Sequence, residues 1–263
     1  HAVLIVGPEG SGKLSVARYL AETLLNIENG QIHKYAFFKK IGPIDNKAIG
    51  IDEIRNLERF LSLKVPNNKS INRAVIIQDS DSMTHEAQNA LLKLLEEPPL
   101  GTLLILTASN GQSLLPTIRS RVQLIQLNRP AEAEITEFFL TKNFEESKIK
   151  QSYAISGGLP GTMSSMLTNE EHRLRLATEW TRTLLSQTTY DRLLVVDELA
   201  KQRELAVDIT FILKRMSHIS LKTAEGKGSV KWQGILKASY EAGEGLSSNA
   251  NAKLTLTKLM LSL

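Results

Sequence analysis

Five apolar residues, Ala2-Val3-Leu4-Ile5-Val6, run directly into Gly7-Pro8-Glu9-Gly10-Ser11-Gly12-Lys13, and an amphipathic segment follows at once. This junction leaves the chain few ways to fold. A short unbroken apolar run is a strand buried on both faces. The glycines let backbone N–H groups converge, and a helix opening at about Gly12 aims its positive end at the same point. A strand, a Gly-rich loop ending in lysine and a helix are together the context a phosphate-binding loop requires. Gly7, Gly10, Ser11, Gly12 and Lys13 are its candidate contacts, with Lys13 reaching for the outer phosphates. Because the apolar strand starts at the second residue, further residues are expected ahead of His1.

The loop lacks what holds magnesium. After the lysine an active loop carries Ser or Thr, whose hydroxyl ligates the ion. Here the residue is Leu14, and Ser15 comes one position late, about 100° round a helix. The strand Val75-Ile76-Ile77 should end in an acidic pair but ends in Gln78-Asp79. Gln78 is neutral and serves magnesium poorly. Asp79 is a carboxylate shorter than Glu, the remnant of a degenerate pair. Two defects in one function argue against efficient hydrolysis and leave nucleotide binding without hydrolysis open.

Along the chain, Gly12 to Leu25 reads as a helix with Val16, Leu20 and Leu24 on one face. Residues 26–50 read as loops with one strand. Asp52 to Leu63 is amphipathic through Ile54, Leu57 and Leu61, with Asp52 as its cap and Pro66 past its end. Ala74–Ile77 and Leu103–Leu106 read as buried strands, and Val122–Leu127 as another. Thr84–Glu97 is a helix with Ala87, Leu91 and Leu94 inward, stopped by Pro98-Pro99. This alternation predicts an α/β core, a parallel sheet with helices on both faces, over residues 1–128. Asn128-Arg129-Pro130 marks its end. A small helical unit over 129–167 ends at Gly157-Gly158-Leu159-Pro160-Gly161. Residues 168–263 read as amphipathic helices: one with Leu176, Trp180 and Leu184, one with Leu193, Val196 and Leu199, and a last one near Ala250–Leu261 that is apolar at Leu254, Leu256 and Leu259. Gly226–Ser229 is expected to be a flexible connection.

Composition sets limits. Hydrophobic residues make up 42% of the 263, enough for a sizeable core. The net charge of +4 is mildly basic and suits a surface facing nucleic acid without proving one. There is no cysteine, so disulfides and cysteine-ligated metal are excluded and a reducing, cytoplasmic setting is expected. The five histidines show no metal-ligand spacing. No apolar run approaches the ~20 residues of a membrane span, and no signal peptide is read.

The motifs resemble those of the bacterial clamp-loader family, the AAA+ subunits of the DNA polymerase III holoenzyme. The resemblance spans nearly the whole chain. It rests on the loop at 7–13; Gly50-Ile51-Asp52-Glu53-Ile54-Arg55; Asp79 through Met83 leading into Asn89–Pro99; Thr107-Ala108-Ser109-Asn110 after a strand; Leu115-Pro116-Thr117-Ile118-Arg119-Ser120-Arg121; Gly157–Gly161; and Asn249 to Leu254. It implies an AAA+ core, a small helical lid and a helical collar that mediates oligomerisation. It implies a pentameric ring with gamma/tau and delta subunits that opens the sliding clamp and places it on primer–template DNA. Ser109 falls at a sensor-like position. Ser120-Arg121 corresponds to the family's Ser-Arg motif, with Arg121 an arginine finger that stabilises charge on ATP held by the adjacent subunit.

Four departures accompany the resemblance. Leu14 and Gln78 replace magnesium-holding residues. Glycine stands in Gly158-Leu159-Pro160-Gly161 where ATPase subunits carry a sensing arginine. The family's zinc-binding cysteines are absent, so no zinc is expected. Val122 replaces the cysteine that ends the Ser-Arg motif. The first two move the chain away from ATP-hydrolysing gamma/tau subunits and toward the delta-prime type, which supplies an arginine finger. An active gamma-type ATPase and a stand-alone AAA+ DNA-binding regulator are the alternatives; the second lacks an evident helix-turn-helix signature.

Other features have plainer readings. Glu96-Glu97 makes a poor hydrolytic pair, since neighbours on a helix diverge. Trp180 and Trp232 suit helix packing better than interface anchoring. Lys39, Lys40, Lys64, Lys69 and Arg73 are scattered basic residues, by default a solvated face rather than a DNA contact. Phe37-Phe38 suits either a core or an apolar edge.

Overall fold

The computed structural model describes residues 2–44, 47–65, 70–169, 172–248 and 250–263. Two compact units divide between Arg129 and Pro130.

The first unit is built from strands β1 (Ala2–Val6), β2 (Phe38–Ile41), β3 (Arg73–Ile77), β4 (Thr102–Ala108) and β5 (Gln123–Gln126) and helices α1 (Lys13–Leu25), α2 (Ile51–Leu61), α3 (His85–Glu96) and α4 (Pro116–Arg119). The strands form one sheet in the order β2-β3-β4-β1-β5, and every pairing is parallel. Parallel neighbours need crossovers, and the helices supply them. β3 and β4 are buried along their whole length, as continuous apolar runs at the centre of such a sheet must be. Alternate residues sort to the two faces. Val3, Ile5, Ala74, Ile76, Leu103 and Ile105 pack with Ala17, Ala21 and Leu25 of α1. Leu4, Val75, Ile77, Leu104 and Leu106 pack with Ile54 and Leu57 of α2, Leu91 of α3 and Ile118 of α4.

Several details differ from the sequence reading. The buried face of α1 is Ala17, Ala21 and Leu25, whereas Val16 and Leu24 are exposed. Small alanines let the helix lie close on the sheet, and that packing outranks the larger apolar stripe. The N-terminus of α2 is satisfied by Glu53, whose Oε2 accepts from Gly50 N at 3.1 Å, rather than by Asp52. Pro66, read as a helix stop, lies outside the described residues, as does Lys69. The last strand is no buried strand: β5 is an edge, with Leu124 exposed.

The second unit comprises α5 (Glu132–Leu140), α6 (Glu146–Ser156), α7 (Pro160–Thr168), α8 (Arg173–Ser186), α9 (Thr189–Leu194), α10 (Val196–Lys201), α11 (Arg203–Leu221), α12 (Lys227–Ser247) and α13 (Ala252–Ser262). A small core joins Ile135, Phe139, Ile149 and Met163. A larger one gathers Leu184, Leu199, Ile209, Ile212, Leu213, Ile235, Leu256 and Leu259. Trp180 and Trp232 pack against the larger core, partly buried. Gly157 and Gly158 adopt positive φ and turn α6 into α7, which starts at Pro160. The chain from Pro160 to Thr168 is therefore helix beyond the Gly-rich turn. The run through Leu193, Val196 and Leu199 is two helices, α9 and α10, rather than one. Leu176 and Leu254, apolar positions named for their amphipathic helices, are exposed. Gly226 (φ 55) caps α12, so 227–229 is the start of a helix and not a free connection.

Candidate functional site

In a parallel sheet all strands end at one edge, and β1, β3 and β4 deliver Gly7–Lys13, Gln78-Asp79 and Ser109 to that edge. This is where ligands of open α/β sheets bind. The loop is tightly made. Gly7 N donates to Ala108 O at 3.2 Å and Ser11 N to Pro8 O at 3.1 Å. Gly10 (φ 77) and Gly12 (φ 88) use the left-handed region, which side-chain-bearing residues enter at a cost. A Cβ on Gly7 would stand 2.8 Å from Ser11 Oγ and 3.1 Å from Leu127 Cβ, so the backbone there needs glycine for closeness.

Lys13 is buried, and its ammonium donates to Gly7 O at 2.8 Å, Pro8 O at 3.1 Å and Ser109 Oγ at 3.4 Å. Its three donors are spent inside the loop and on Ser109. The structure thus brings Gly7, Ser11, Lys13 and Ser109 together, with Lys13 turned onto its own backbone.

Beside them, Asp79 sits at φ 48, ψ 52. Its N–H donates to Thr107 Oγ1 at 3.0 Å, and its Oδ2 accepts from Gln78 Nε2 at 3.0 Å. Lys40 Nζ donates to Gln78 Oε1 at 3.3 Å. Leu14 packs against the core on the α1 side of the sheet, and Ser15 faces solvent. Leu14 offers no oxygen, Gln78 no charge, and the Asp79 carboxylate is engaged by Gln78. These residues do not fit magnesium.

Asp81 was given no role from sequence. Its Oδ2 accepts from Ser109 N at 2.8 Å and Asn110 N at 3.3 Å, so it fixes the turn that carries Ser109. Its place in the segment Asp79 to Met83, on which the family resemblance rests, was the available signal.

Arg121 lies elsewhere. Pro116 opens α4, buried Ile118 anchors it, and Leu115 N donates to Gln88 Oε1 of α3 at 2.8 Å. Ser120 Oγ donates to Thr117 O at 3.0 Å. Arg121 Nη1 donates to Thr117 O at 2.9 Å and Ser120 Oγ at 3.3 Å, and Nη2 lies 2.6 Å from Glu96 Oε1. Arg121 precedes β5, whose Gln123 pairs with Val3 and Gln126 with Val6. The loop at Gly7 follows Val6. The two sites therefore sit at opposite ends of the sheet, and the strand span from Val3 to Gly7 alone is about 13 Å at about 3.3 Å per residue. Glu96 is the second residue whose role sequence reasoning missed, because its partner lies 25 positions away in the chain.

The basic residues divide. Arg73 is buried and donates to Phe60 O at 3.3 Å and Leu61 O at 2.5 Å; it closes the end of α2. Burial pushes its pKa below the usual guanidinium value. Lys39 Nζ stands over the Phe60 ring at 5.6 Å. Phe38 packs partly buried against the core, and Phe37 meets Tyr35 edge-on.

The family model described as "DNA polymerase III, delta subunit" matches residues 1–131. A relative described as DNA polymerase III subunit delta' from Haemophilus influenzae is 32% identical over 174 residues, covering 61% of this chain and 53% of that protein. A DNA polymerase III subunit gamma from Buchnera aphidicola is 29% identical, covering 67% and 52%. The chain spans about half the length of these curated relatives. A gamma subunit-related protein of Thermotoga maritima superposes over 99% of this chain and 92% of its own, with a TM-score of 0.54 and 23% identity, which speaks to the fold alone. The chain belongs to the DNA polymerase III clamp-loader AAA+ family and is delta-prime-like.

Proposed function

We propose that the chain is a clamp-loader subunit of the delta-prime type that does not itself hydrolyse ATP. It works in a pentameric ring with gamma/tau and delta subunits that loads the sliding clamp onto primer–template DNA. Arg121 reaches the γ-phosphate of ATP held by the adjacent subunit and stabilises charge in the transition state. The observation that carries this reading is the separation of Arg121 from the chain's own phosphate loop: a finger at the opposite end of the sheet serves a site in another subunit or none. The poor fit to magnesium supports the second half. Without the ion the β- and γ-phosphates lack the divalent cation that bridges and neutralises them, and the neutral Gln78 replaces the residue that would help hold it. The loop keeps its shape, so nucleotide without turnover is compatible with this role.

The test is ATP turnover by the chain alone, and by the chain mixed with the gamma and delta subunits of its own organism. No turnover alone, and a stimulated rate in the mixture that falls on Arg121→Ala, is the expected result. Arg121→Ala should leave folding and assembly intact and slow the one site it completes, by up to on the order of 10³. An unchanged rate in that variant rejects the finger. Turnover by the isolated chain would establish the gamma-type reading instead.

A further inference from the structure

We propose that Glu96 is the exchangeable counter-ion of Arg121: it holds the guanidinium folded against its own chain and yields it to the phosphate oxygens of a nucleotide presented by a neighbouring subunit. This rests on the finger role given to Arg121 above. Three acceptors of the same chain engage the guanidinium. Thr117 O and Ser120 Oγ take Nη1, and Glu96 Oε1, at 2.6 Å, takes Nη2.

The pair forms for a local reason. Glu96 is the last residue of α3, where the negative end of the helix disfavours a carboxylate, and a cation there relieves it. Pro98 and Pro99 stop the helix just past Glu96, and Glu96 lies beside Arg121. Magnitude then decides what the pair can do. The side chains of Arg121 and Glu96 are 35% and 51% exposed. A buried pair would be too costly to open, whereas an exposed pair is weak. Such a contact biases the arginine when no partner is present and gives way to a polyphosphate, which carries several charges and more oxygens in the forked geometry guanidinium prefers.

The surroundings suit an incoming partner. Glu96, Pro98, Pro99, Leu100 and Arg121 line a concavity of about 640 Å³, and Leu100 stands 88% exposed at its side. Glu97 sits on the same helix end, with its side chain in solvent, and has no contact with Arg121 among the described residues. It supplies a control of equal charge.

The experiment titrates the chain into its reconstituted assembly and reads two quantities, the concentration giving half-maximal stimulation of ATP turnover and the maximal rate. Glu96→Gln should lower the half-maximal concentration about two- to fivefold at low ionic strength, with the maximal rate unchanged and the shift shrinking as salt rises. Glu97→Gln should shift nothing, and Glu96→Gln should have no effect when added to Arg121→Ala. A lower maximal rate in Glu96→Gln overturns the proposal, because Glu96 would then hold Arg121 in its working pose. An equal shift in Glu97→Gln, or one that persists without Arg121, overturns it while leaving the finger in place. If Arg121→Ala alone changes nothing, the finger reading falls and this proposal with it.

Discussion

Lys13 Nζ donates to the carbonyl of Gly7, six residues earlier, at 2.8 Å. The lysine of this Gly-rich loop thus serves as an internal tie between the start of the loop, Pro8 and Ser109. Lys13→Ala is predicted to destabilise the core by about 1–3 kcal/mol, the cost of leaving buried acceptors unmet, while the assembly's ATP turnover stays within about twofold of the parent. Urea unfolding and steady-state turnover on one preparation check both. A loss of turnover as large as that of Arg121→Ala would mean that the loop works on nucleotide.

Gly12→Ala isolates backbone strain. Gly12 has φ +88, and an added Cβ would meet nothing within 4 Å. The penalty is conformational alone and should be about 1–2 kcal/mol. It should appear as a lower urea midpoint with an unchanged slope. A neutral result would show that the loop adopts another conformation.

Arg73→Ala separates a structural arginine from a DNA contact. The side chain satisfies the last carbonyls of α2, so its removal should cost about 2–3 kcal/mol. The salt dependence of DNA binding by the assembly should not change, since a lost phosphate contact would lower that slope by ~1. A changed slope would make Arg73 a nucleic-acid contact.

His172 predicts a pH effect. It caps α8, with Nδ1 accepting from Leu174 N at 3.3 Å. Burial first, then Arg173 and Arg175, push its pKa below the usual imidazole value. The folded state thus favours the neutral ring. Stability from this group is complete above about pH 6.5 and is lost as pH falls through the lowered folded value, because a protonated Nδ1 cannot accept the cap bond. His172→Asn keeps a capping acceptor and should flatten that fall. Urea unfolding from about pH 7.5 to about pH 5 measures it. An identical fall in both proteins would place the titration elsewhere.

The core was legible in the sequence where one physical constraint dominates. Buried parallel strands must be unbroken apolar runs, so Ala74–Ile77 and Leu103–Leu106 could be read directly, and Pro98-Pro99 could only end α3. Ile54, Leu57 and Leu61 kept the expected face because no competing stripe exists on α2. On α1 two stripes compete, and periodicity favours the bulky Val16 and Leu24 while the sheet takes Ala17 and Ala21. Nothing in the local sequence states how close a helix will lie. The split at Val195 was missed for a similar reason: Val195 and Val196 pack into the large helical core, and the local sequence does not state that packing.

The sequence by itself determined the context of a candidate phosphate loop, the presence of Leu14 and Gln78 where magnesium partners are expected, and the Ser-Arg motif, since these depend on residue type and spacing within a few positions. Only the tertiary structure decided where those groups face. Parallel pairing of β1 with β5 puts Arg121 and Lys13 at opposite ends of one sheet. Long-range packing sets Lys13 against Ser109, 96 positions away, and Arg121 against Glu96. Such contacts follow from the order in which strands stack, and the spacing of residues along the chain does not encode that order.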